Sequence, residues 1–235
     1  MKTLIALTAG LVVATSLISQ GQSVTWNLGG SGGLTSTGVT RSFTVSGVKV
    51  TVGAWSYTKG SSNTALEASK LGQYSPGLGV TNNEEDGSSP WHQLDNNYQN
   101  DYILFVFDKL VSVANVKVTA SPGPYDQDVS YWLGNISNSN LDNVNYTGLA
   151  SRGFGAEQTV DGVSTSSQRT YSINATPGGV NALLFGPRRG VITTTDKNIV
   201  DAFKVNSISA TVVPEPSAAL LTALGALGFC LRRRR

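Results

Sequence analysis

Cysteine and histidine are scarce in this chain of 235 residues, and each scarcity excludes a kind of site. The single cysteine, Cys230, lies close to the C-terminus, so the residues before it form no disulfide with one another and carry out no thiol chemistry. The single histidine, His92, leaves too few nitrogen and sulfur ligands for a zinc site. A Ser-His-Asp triad is arithmetically available, but no serine stands in an activating context. His92 beside Trp91 is more typical of a packing residue.

A surplus of positive charge is also missing from most of the chain. The formal net charge is +2, but without Lys2 and the four C-terminal arginines, 12 basic residues face 15 acidic ones. A surface that binds nucleic acid phosphates needs an excess of lysine and arginine. We therefore predict no nucleic acid partner.

Long helical patterns and internal repeats are absent between the two ends of the chain. Instead, apolar and polar residues alternate with period two, as in Phe43 and Val45 and again from Val48 to Ala54, which is typical of half-buried antiparallel strands. Asp108-Lys109 is predicted as a turn, and residues 65–71 as a helical turn or a loop. Further strands are predicted at residues 102–107, 111–119, 129–133, 170–173, 182–185 and 202–213. The pattern predicts one all-β domain over residues 24–212, a β-sandwich of the jelly-roll kind.

The N-terminal residues have the three parts of a signal peptide. Lys2 provides the positive start, residues 4–13 are apolar, and the small residues Ser19, Gly21 and Ser23 follow. Cleavage after Gly21 and cleavage after Ser23 both satisfy the small-residue spacing. We predict a signal peptide within residues 1–23 and signal peptidase as a partner.

The C-terminal residues 213–235 form a second targeting segment. Its prolines stop a preceding strand, its apolar stretch at residues 217–231 enters a bilayer, and its final arginines stay on the cytoplasmic side. An ordinary membrane anchor is the alternative, but as a helix the apolar stretch would span about 22 Å, which is short of the roughly 30 Å hydrocarbon core. This shortness favours a processing signal that is held in the membrane only transiently. The residues that define the segment are Pro214, Glu215, Pro216, Arg232, Arg233, Arg234 and Arg235.

In this order of motif, apolar segment and arginine cluster, the tail resembles the PEP-CTERM sorting signal of exosortase-processed bacterial proteins. Such a tail is also labelled an ice-binding protein C-terminal domain, but Thr193 to Thr195 alone is no regular threonine array. The resemblance implies a hydrophobic helix held transiently in the inner membrane. It also implies removal of the tail by an exosortase-type enzyme and a final location at the cell surface or outside the cell.

Acidic residues are concentrated in the middle of the chain. Eight of them lie between Glu84 and Asp128, against only Lys109 and Lys117, and such a concentration repels itself unless something offsets it. Calcium takes carboxylate and amide oxygens as ligands, so one hypothesis is a calcium site. Its candidate ligands are Glu84, Glu85, Asp95, Asn96 and Asp101. In the alternative reading, Asp95 and Asn96 cap turns and residues 84–86 are a solvated loop tip.

The body of the chain is similar to uncharacterised exosortase-dependent bacterial surface proteins. This resemblance implies a surface location and a β-sandwich, and no known catalysis. It rests on residues 77–82 with Glu84 or Glu85, on Pro90, His92, residues 94–96, Asp101 and residues 103–107, on Asp126 and Asp128 before Tyr131-Trp132 and Gly134, and on residues 201–204.

Aromatic residues provide a second binding hypothesis, since sugar rings stack on exposed aromatic faces. Trp91, Tyr98 and Tyr125 fall in predicted loops and are the candidate platforms, whereas Trp55 and Trp132 fall in strands and are predicted to be core. We predict a non-catalytic surface or extracellular-matrix protein that binds polysaccharide. The alternative is a secreted carbohydrate-active enzyme that uses carboxylates of the acidic block. Carboxylates beside exposed aromatics in a cleft would favour the enzyme, and carboxylates converging on one ion-sized point would favour the binding protein.

Overall fold

The structure is a computed structural model that describes residues 21–57, 65–85, 92–97, 99–120, 125–174, 178–190 and 199–214. The chain divides into two compact units, of which Gln22–Val213 contains every strand reported below. The other unit comprises Met1–Gly21 and Pro214–Arg235. Most of the predicted signal peptide, the motif residues Glu215 and Pro216, the apolar stretch and the terminal arginines therefore lie outside the described residues.

Short strands make up most of the described part of the larger unit, and the only helix there is the 3-10 helix Thr147–Arg152. The prediction of an all-β fold is confirmed. The strands are β1 Ser23–Asn27, β2 Gly33–Leu34, β3 Arg41–Val45, β4 Val48–Tyr57, β5 Leu66–Ala68, β6 Lys70–Tyr74, β7 Gly77–Thr81, β8 Leu94–Asp95, β9 Asn100–Ala120, β10 Val129–Gly134, β11 Gln158–Val160, β12 Gln168–Ser172, β13 Val180–Pro187 and β14 Ala202–Val212.

All fourteen strands belong to one branched sheet that is organised on β9. The first half of β9 pairs with β4 and β13, and its second half pairs with β14 and β12. Every pairing between these strands is antiparallel. The hydrogen bonds therefore describe an open antiparallel sheet in which one long strand carries partners on both sides.

The predicted turn at Asp108-Lys109 is wrong, because β9 runs through it without interruption. Both residues are exposed, and the pairing of β9 with β13 is irregular between Val180 and Ala182. The Asp108 carboxylate accepts a hydrogen bond from the Lys49 backbone N–H at 2.9 Å. The polar pair thus marks an irregularity in a long strand and a side-chain contact with its neighbour, which a sequence pattern does not distinguish from a turn.

Three other regions form strands that the sequence did not predict. Residues 65–71 form β5 and the start of β6 and make no helical turn. In β1, Val24 and Trp26 are buried while their neighbours are exposed. This strand is hard to recognise in the sequence because glycine and serine residues follow it closely. In β7 every residue is buried, and a Cβ at Gly79 would collide with the His92 carbonyl oxygen. Glycine is needed there because two backbone segments pack directly on each other.

Two apolar clusters lie on opposite faces of the strand segment 102–107. Ile103 and Phe105 point into the larger cluster, which includes residues from β1, β4, β7, β12 and β14. Tyr102 and Leu104 point into a second cluster, which residues 136–154 help to close. Apolar residues therefore cover this segment on both faces. Trp55 and Trp132, predicted to be core, are buried in the second cluster.

The two ends of the body lie side by side. β1 pairs with the last residues of β14, so that Ser23 stands opposite Thr211. The Gln22 carbonyl oxygen accepts a hydrogen bond from the Val212 N–H at 2.9 Å. β14 ends at Val212, two residues before Pro214, which confirms that the strand stops at the prolines.

Candidate functional site

Three acidic side chains converge near one end of β9, and we name Glu85, Asp95 and Asp101 the buried carboxylate cluster. Glu85 follows β7, Asp95 ends β8, and Asp101 is the second residue of β9. Each contributes one carboxylate oxygen to a group whose members all lie within 4.8 Å of one another. Asp95 and Asp101 have 0% exposure, whereas Glu85 is half-buried.

Hydrogen bonds from the protein hold one oxygen of each carboxylate in this cluster. Asp101 Oδ1 accepts bonds from Ser56 Oγ at 2.6 Å and from Asn82 Nδ2 at 3.5 Å, and Ser69 Oγ donates to Ser56 Oγ. Asp95 Oδ1 accepts a bond from the backbone N–H of Asn97 at 3.0 Å. Glu85 Oε2 accepts the backbone N–H of Asn82 at 3.1 Å. These donors fix the direction in which each carboxylate points.

The second oxygen of each aspartate is buried without a hydrogen-bond partner among the described residues. These atoms are Asp95 Oδ2 and Asp101 Oδ2. Burial, and then the neighbouring Glu85 carboxylate, raise the pKa of Asp95 well above its usual range. Burial and the charges of Asp95 and Glu85 do the same to the pKa of Asp101. A low-dielectric site that holds several carboxylates penalises their negative charges.

Few positively charged side chains lie near the carboxylates of this cluster. Within the described part of the chain, neither Asp95 nor Asp101 forms an ion pair with a lysine or arginine. The charge of Lys204 reaches Asp95, and burial lowers the pKa of Lys204 to about 8, but among the described residues no ion pair joins Lys204 to Asp95 or Asp101. Its Nζ atom lies 5.4 Å from the centre of the Tyr74 ring. The cluster is therefore short of positive charge.

A second group of three carboxylates, Asp126, Asp128 and Asp201, lies nearby, and we name it the arginine-paired cluster. Arg188 Nη1 lies 3.0 Å from Asp128 Oδ2, and the Gly162 N–H donates to Asp128 Oδ1. Asp201 Oδ1 accepts the Asp128 N–H at 2.8 Å. In this cluster both oxygens of Asp128 are occupied by nitrogen donors, and one of these donors is charged.

The structure brings together three of the five predicted calcium ligands and separates the other two. Glu84 is exposed, because its N–H bonds to Asn82 Oδ1 and its side chain leaves the cluster. Asn96 turns to the arginine-paired cluster, where its Nδ2 donates to Asp201 Oδ2 at 2.7 Å. Ser56 and Asn82, which donate hydrogen bonds to Asp101, were not predicted as site residues. The position of Ser56 between Trp55 and Tyr57, at the apolar end of a strand, could have indicated a buried polar contact.

The predicted aromatic platforms do not form a described surface. Trp91 and Tyr98 lie outside the described residues. Tyr125 is buried with Val200 and Ala202, so the expectation of an exposed ring is corrected there. The His92 ring packs edge-on against Tyr74, with 4.5 Å between centroids.

An open groove of about 450 Å³ runs beside β4, on the same face of the sheet as the second apolar cluster. Leu104, Val106 and Trp55 provide its apolar lining. Among the described residues Asp142 is the only carboxylate in the lining. Its polar lining is formed by Thr40, Thr51, Asn138, Ser139, Asn140 and Asp142.

Comparison with known families decides the nature of the C-terminal segment. Residues 212–235 match the family model of the PEP-CTERM protein-sorting motif. The match indicates an exported protein that an exosortase-type enzyme processes at the membrane and that ends at the cell surface. The matched region begins at the last residue of β14, so the sorting motif directly follows the folded body.

No curated protein and no solved structure matches this chain significantly. Within the described residues, no helix has the length and apolar character to cross a membrane. The predicted apolar stretch at residues 217–231 lies outside that part of the chain.

Proposed function

We propose that this chain is a non-catalytic surface or extracellular-matrix protein whose β-rich body is the cargo of the sorting motif. The match of residues 212–235 carries this proposal. The body supports it, because its last strand ends at Val212, which is the first residue of the matched region. We also propose that the body is related to other exosortase-dependent surface proteins.

A passive role is favoured over the carbohydrate-active enzyme by the placement of the acidic side chains. Asp95 and Asp101 have no exposed surface, and their oxygens converge within 4.8 Å instead of flanking an open cleft. Glycosidase carboxylates stand roughly 5–10 Å apart on either side of a substrate. The buried carboxylate cluster leaves no such space for a sugar.

We propose that the body is a jelly-roll-like sandwich in which the sheet folds back on itself. The larger apolar cluster supports this arrangement, since it combines Val52 from β4 with Val116 from the far half of β9. The two halves of β9 also pair with different strands, which would let this one strand belong to both layers of the proposed sandwich.

Signal peptide cleavage is proposed to follow Gly21. Cleavage there preserves Gln22, whose carbonyl oxygen bonds Val212, and Ser23, which pairs with Thr211. Cleavage after Ser23 would remove both contacts. N-terminal sequencing of the mature protein checks this, and a mature chain that begins at Val24 would contradict it.

The sorting function is tested by two changes to the tail in a producing host. Deletion of residues 213–235 is expected to alter the destination of the body, because both the membrane-held stretch and the arginines are lost. Glu215→Gln keeps those parts and is expected to block cleavage alone, so the intact mass of the protein would retain the tail. A normal mass and location in both variants would refute the proposal.

Polysaccharide binding is proposed for the groove beside β4. Hydroxyl and amide side chains around a tryptophan and an aliphatic floor suit the alternating polar and apolar surfaces of a sugar chain. Thr40→Trp would fill the groove, and Thr25→Trp on the exposed face of β1 is the matched control. Retardation of the protein in gels containing the host polysaccharide is expected to vanish only in the first variant. Equal retardation of both variants would exclude this groove.

A further inference from the structure

We propose that the buried carboxylate cluster of Glu85, Asp95 and Asp101 binds one calcium ion. This site is independent of the sorting motif and of the groove. It differs from the set predicted from the sequence, because Glu84 and Asn96 are not among its ligands.

The size of the cluster fits one ion. Calcium–oxygen distances are about 2.4 Å, so two ligands of the same ion lie at most about 4.8 Å apart. One oxygen from each of Glu85, Asp95 and Asp101 meets this limit. The three residues come from different segments of the chain, so an ion at their centre would tie β7, β8 and β9 together.

Two fully buried oxygens without described partners point to a ligand. Asp95 Oδ2 and Asp101 Oδ2 lack hydrogen bonds, while the Oδ1 atoms of the same residues accept bonds from Asn97 and Ser56. Leaving a charged group buried and unpaired is expensive. Here each aspartate is oriented through one oxygen and leaves the other for a cation, which is the usual division between ligand and supporting contacts at metal sites.

Hard oxygen chemistry favours calcium over other metals. The cluster contains carboxylate oxygens and no sulfur or imidazole ligand, which disfavours zinc and copper. Magnesium requires near-ideal octahedral geometry and keeps several waters, whereas calcium accepts irregular sets of roughly six to eight oxygens. Two more buried oxygens lack described partners, Thr81 Oγ1 and Asn97 Oδ1. Thr81 precedes Asn82 in the sequence, and the Asn97 N–H donates to Asp95.

Charge balance supports a divalent ion. Three ionised carboxylates carry three negative charges, and one calcium ion together with the Lys204 ammonium, whose charge reaches Asp95, balances them. The arginine-paired cluster meets the same distance limit but has Arg188 and backbone N–H groups on its oxygens. It provides an internal control that has similar carboxylates and a different environment.

The test is thermal unfolding of the full chain in detergent, followed by tryptophan fluorescence, with calcium, with magnesium or with a chelator. We expect calcium at about a hundred times its dissociation constant to raise the midpoint by on the order of 5–10 °C. Magnesium at the same concentration is expected to give a much smaller shift. No calcium shift in the wild-type protein would overturn the proposal and would mean that the carboxylates hold protons instead.

Three variants locate the ion. Asp101→Asn is expected to abolish the calcium shift while raising the midpoint in chelator, because it removes a buried negative charge that no lysine or arginine among the described residues neutralises. Glu85→Gln, at the half-buried edge, is expected to weaken calcium binding at least tenfold without preventing folding. Asp126→Asn in the arginine-paired cluster is expected to keep the full shift. A shift that survives in both Asp101→Asn and Glu85→Gln, or that is lost in Asp126→Asn alone, would place the ion elsewhere and overturn the proposal.

Discussion

The buried carboxylate cluster and the arginine-paired cluster use the same residue types and differ in what surrounds them. In the arginine-paired cluster, Arg188 and three N–H donors occupy oxygens of Asp128 and Asp201. In the buried carboxylate cluster, hydroxyl and amide groups occupy one oxygen each of Asp95 and Asp101 and leave the other unpartnered within the described residues. The number and charge of the donors thus separate a self-contained network from one that needs a cation.

One short segment separates the two environments. Asp95 and Asn96 are neighbours in sequence, yet Asp95 joins one cluster and Asn96 joins the other. Successive side chains in an extended segment point to opposite sides. The clusters are therefore adjacent but chemically distinct, and changes to one are expected to leave the other intact.

The largest expected effect is on the pH dependence of the arginine-paired cluster. Burial raises the pKa of Asp201 to about 8, and the negative charges of Asp128 and Asp126 add to the effect. The native state therefore binds a proton that the unfolded chain releases near pH 4. The stability gained from that proton is complete below pH 4 and is lost as the pH rises towards 8. One pKa unit corresponds to about 1.4 kcal/mol, so the loss is at most roughly 6 kcal/mol.

Asp201→Asn tests this expectation. Urea unfolding in chelator at several pH values between 4 and 8 is expected to show a shallower decline in the free energy of unfolding than in wild type. The variant has an added pH-independent cost, because its amide faces Asn96 Nδ2, so the slope is the informative measurement. Parallel slopes for the two proteins would show that Asp201 does not titrate in this range.

The next effect concerns Asn96, which is buried and exchanges two hydrogen bonds with Asp201, at 2.7 and 3.0 Å. Asn96→Ala leaves both partner atoms without these bonds and is expected to lower the free energy of unfolding by about 3 kcal/mol. The calcium shift is expected to remain, because Asn96 belongs to the arginine-paired cluster. Asn138→Ala, at an exposed asparagine, is the control and should change stability little. Loss of the calcium shift in Asn96→Ala would mean that the two clusters form one site.

Ser56→Ala gives the corresponding change in the buried carboxylate cluster. It removes the 2.6 Å bond to Asp101 Oδ1 and breaks the link to Ser69. Hydrogen bonds to charged groups contribute roughly 1.5–3 kcal/mol, so we expect a loss of about 2 kcal/mol in urea unfolding together with weaker calcium binding. Ser42→Ala removes an exposed hydroxyl contact with Thr51 and should cost less than about 0.5 kcal/mol. Equal effects of the two substitutions would contradict the role of Ser56.

Local patterns predicted the elements of the fold that depend on alternation. The period-two run around Val50 and the apolar run at residues 102–107 are both central strands, as predicted, and alternate residues of the second run face the two apolar clusters. The same reasoning failed in β7, where Gly77 and Gly79 look like loop residues but permit close backbone packing. It also failed at Asp108, since polarity alone does not show whether a chain turns or a side chain caps a neighbouring strand.

The density of acidic residues predicted the ligand set in part. Glu85, Asp95 and Asp101 are brought together, but the choice between Glu84 and Glu85 depends on the turn that Asn82 makes with the Glu84 N–H. The division of the carboxylates into two clusters depends on Arg188, which is 60 residues beyond Asp128 in sequence. Such long-range partners are set by the pairing of β9, β13 and β14, and no local pattern contains them.

The smallest expected effect tests what keeps calcium out of the arginine-paired cluster. Arg188 is half exposed, so solvent and salt screen its attraction to Asp128. Arg188→Gln is therefore expected to lower the unfolding midpoint less than Asn96→Ala or Ser56→Ala does, and only at low ionic strength. Arg189→Gln is the matched control, because Arg189 is equally exposed and pairs with Glu157 instead.

If charge compensation distinguishes the two clusters, removal of Arg188 should make the arginine-paired cluster resemble the buried carboxylate cluster. In a Glu85→Gln background, where the calcium response of the buried carboxylate cluster is weakened, Arg188→Gln is expected to introduce a small new calcium shift that Arg189→Gln does not. A chain with Arg188→Gln that stays insensitive to calcium would show that the N–H donors on Asp128 and Asp201 are sufficient to satisfy those carboxylates. The distinction between the clusters would then lie in hydrogen bonding and not in net charge.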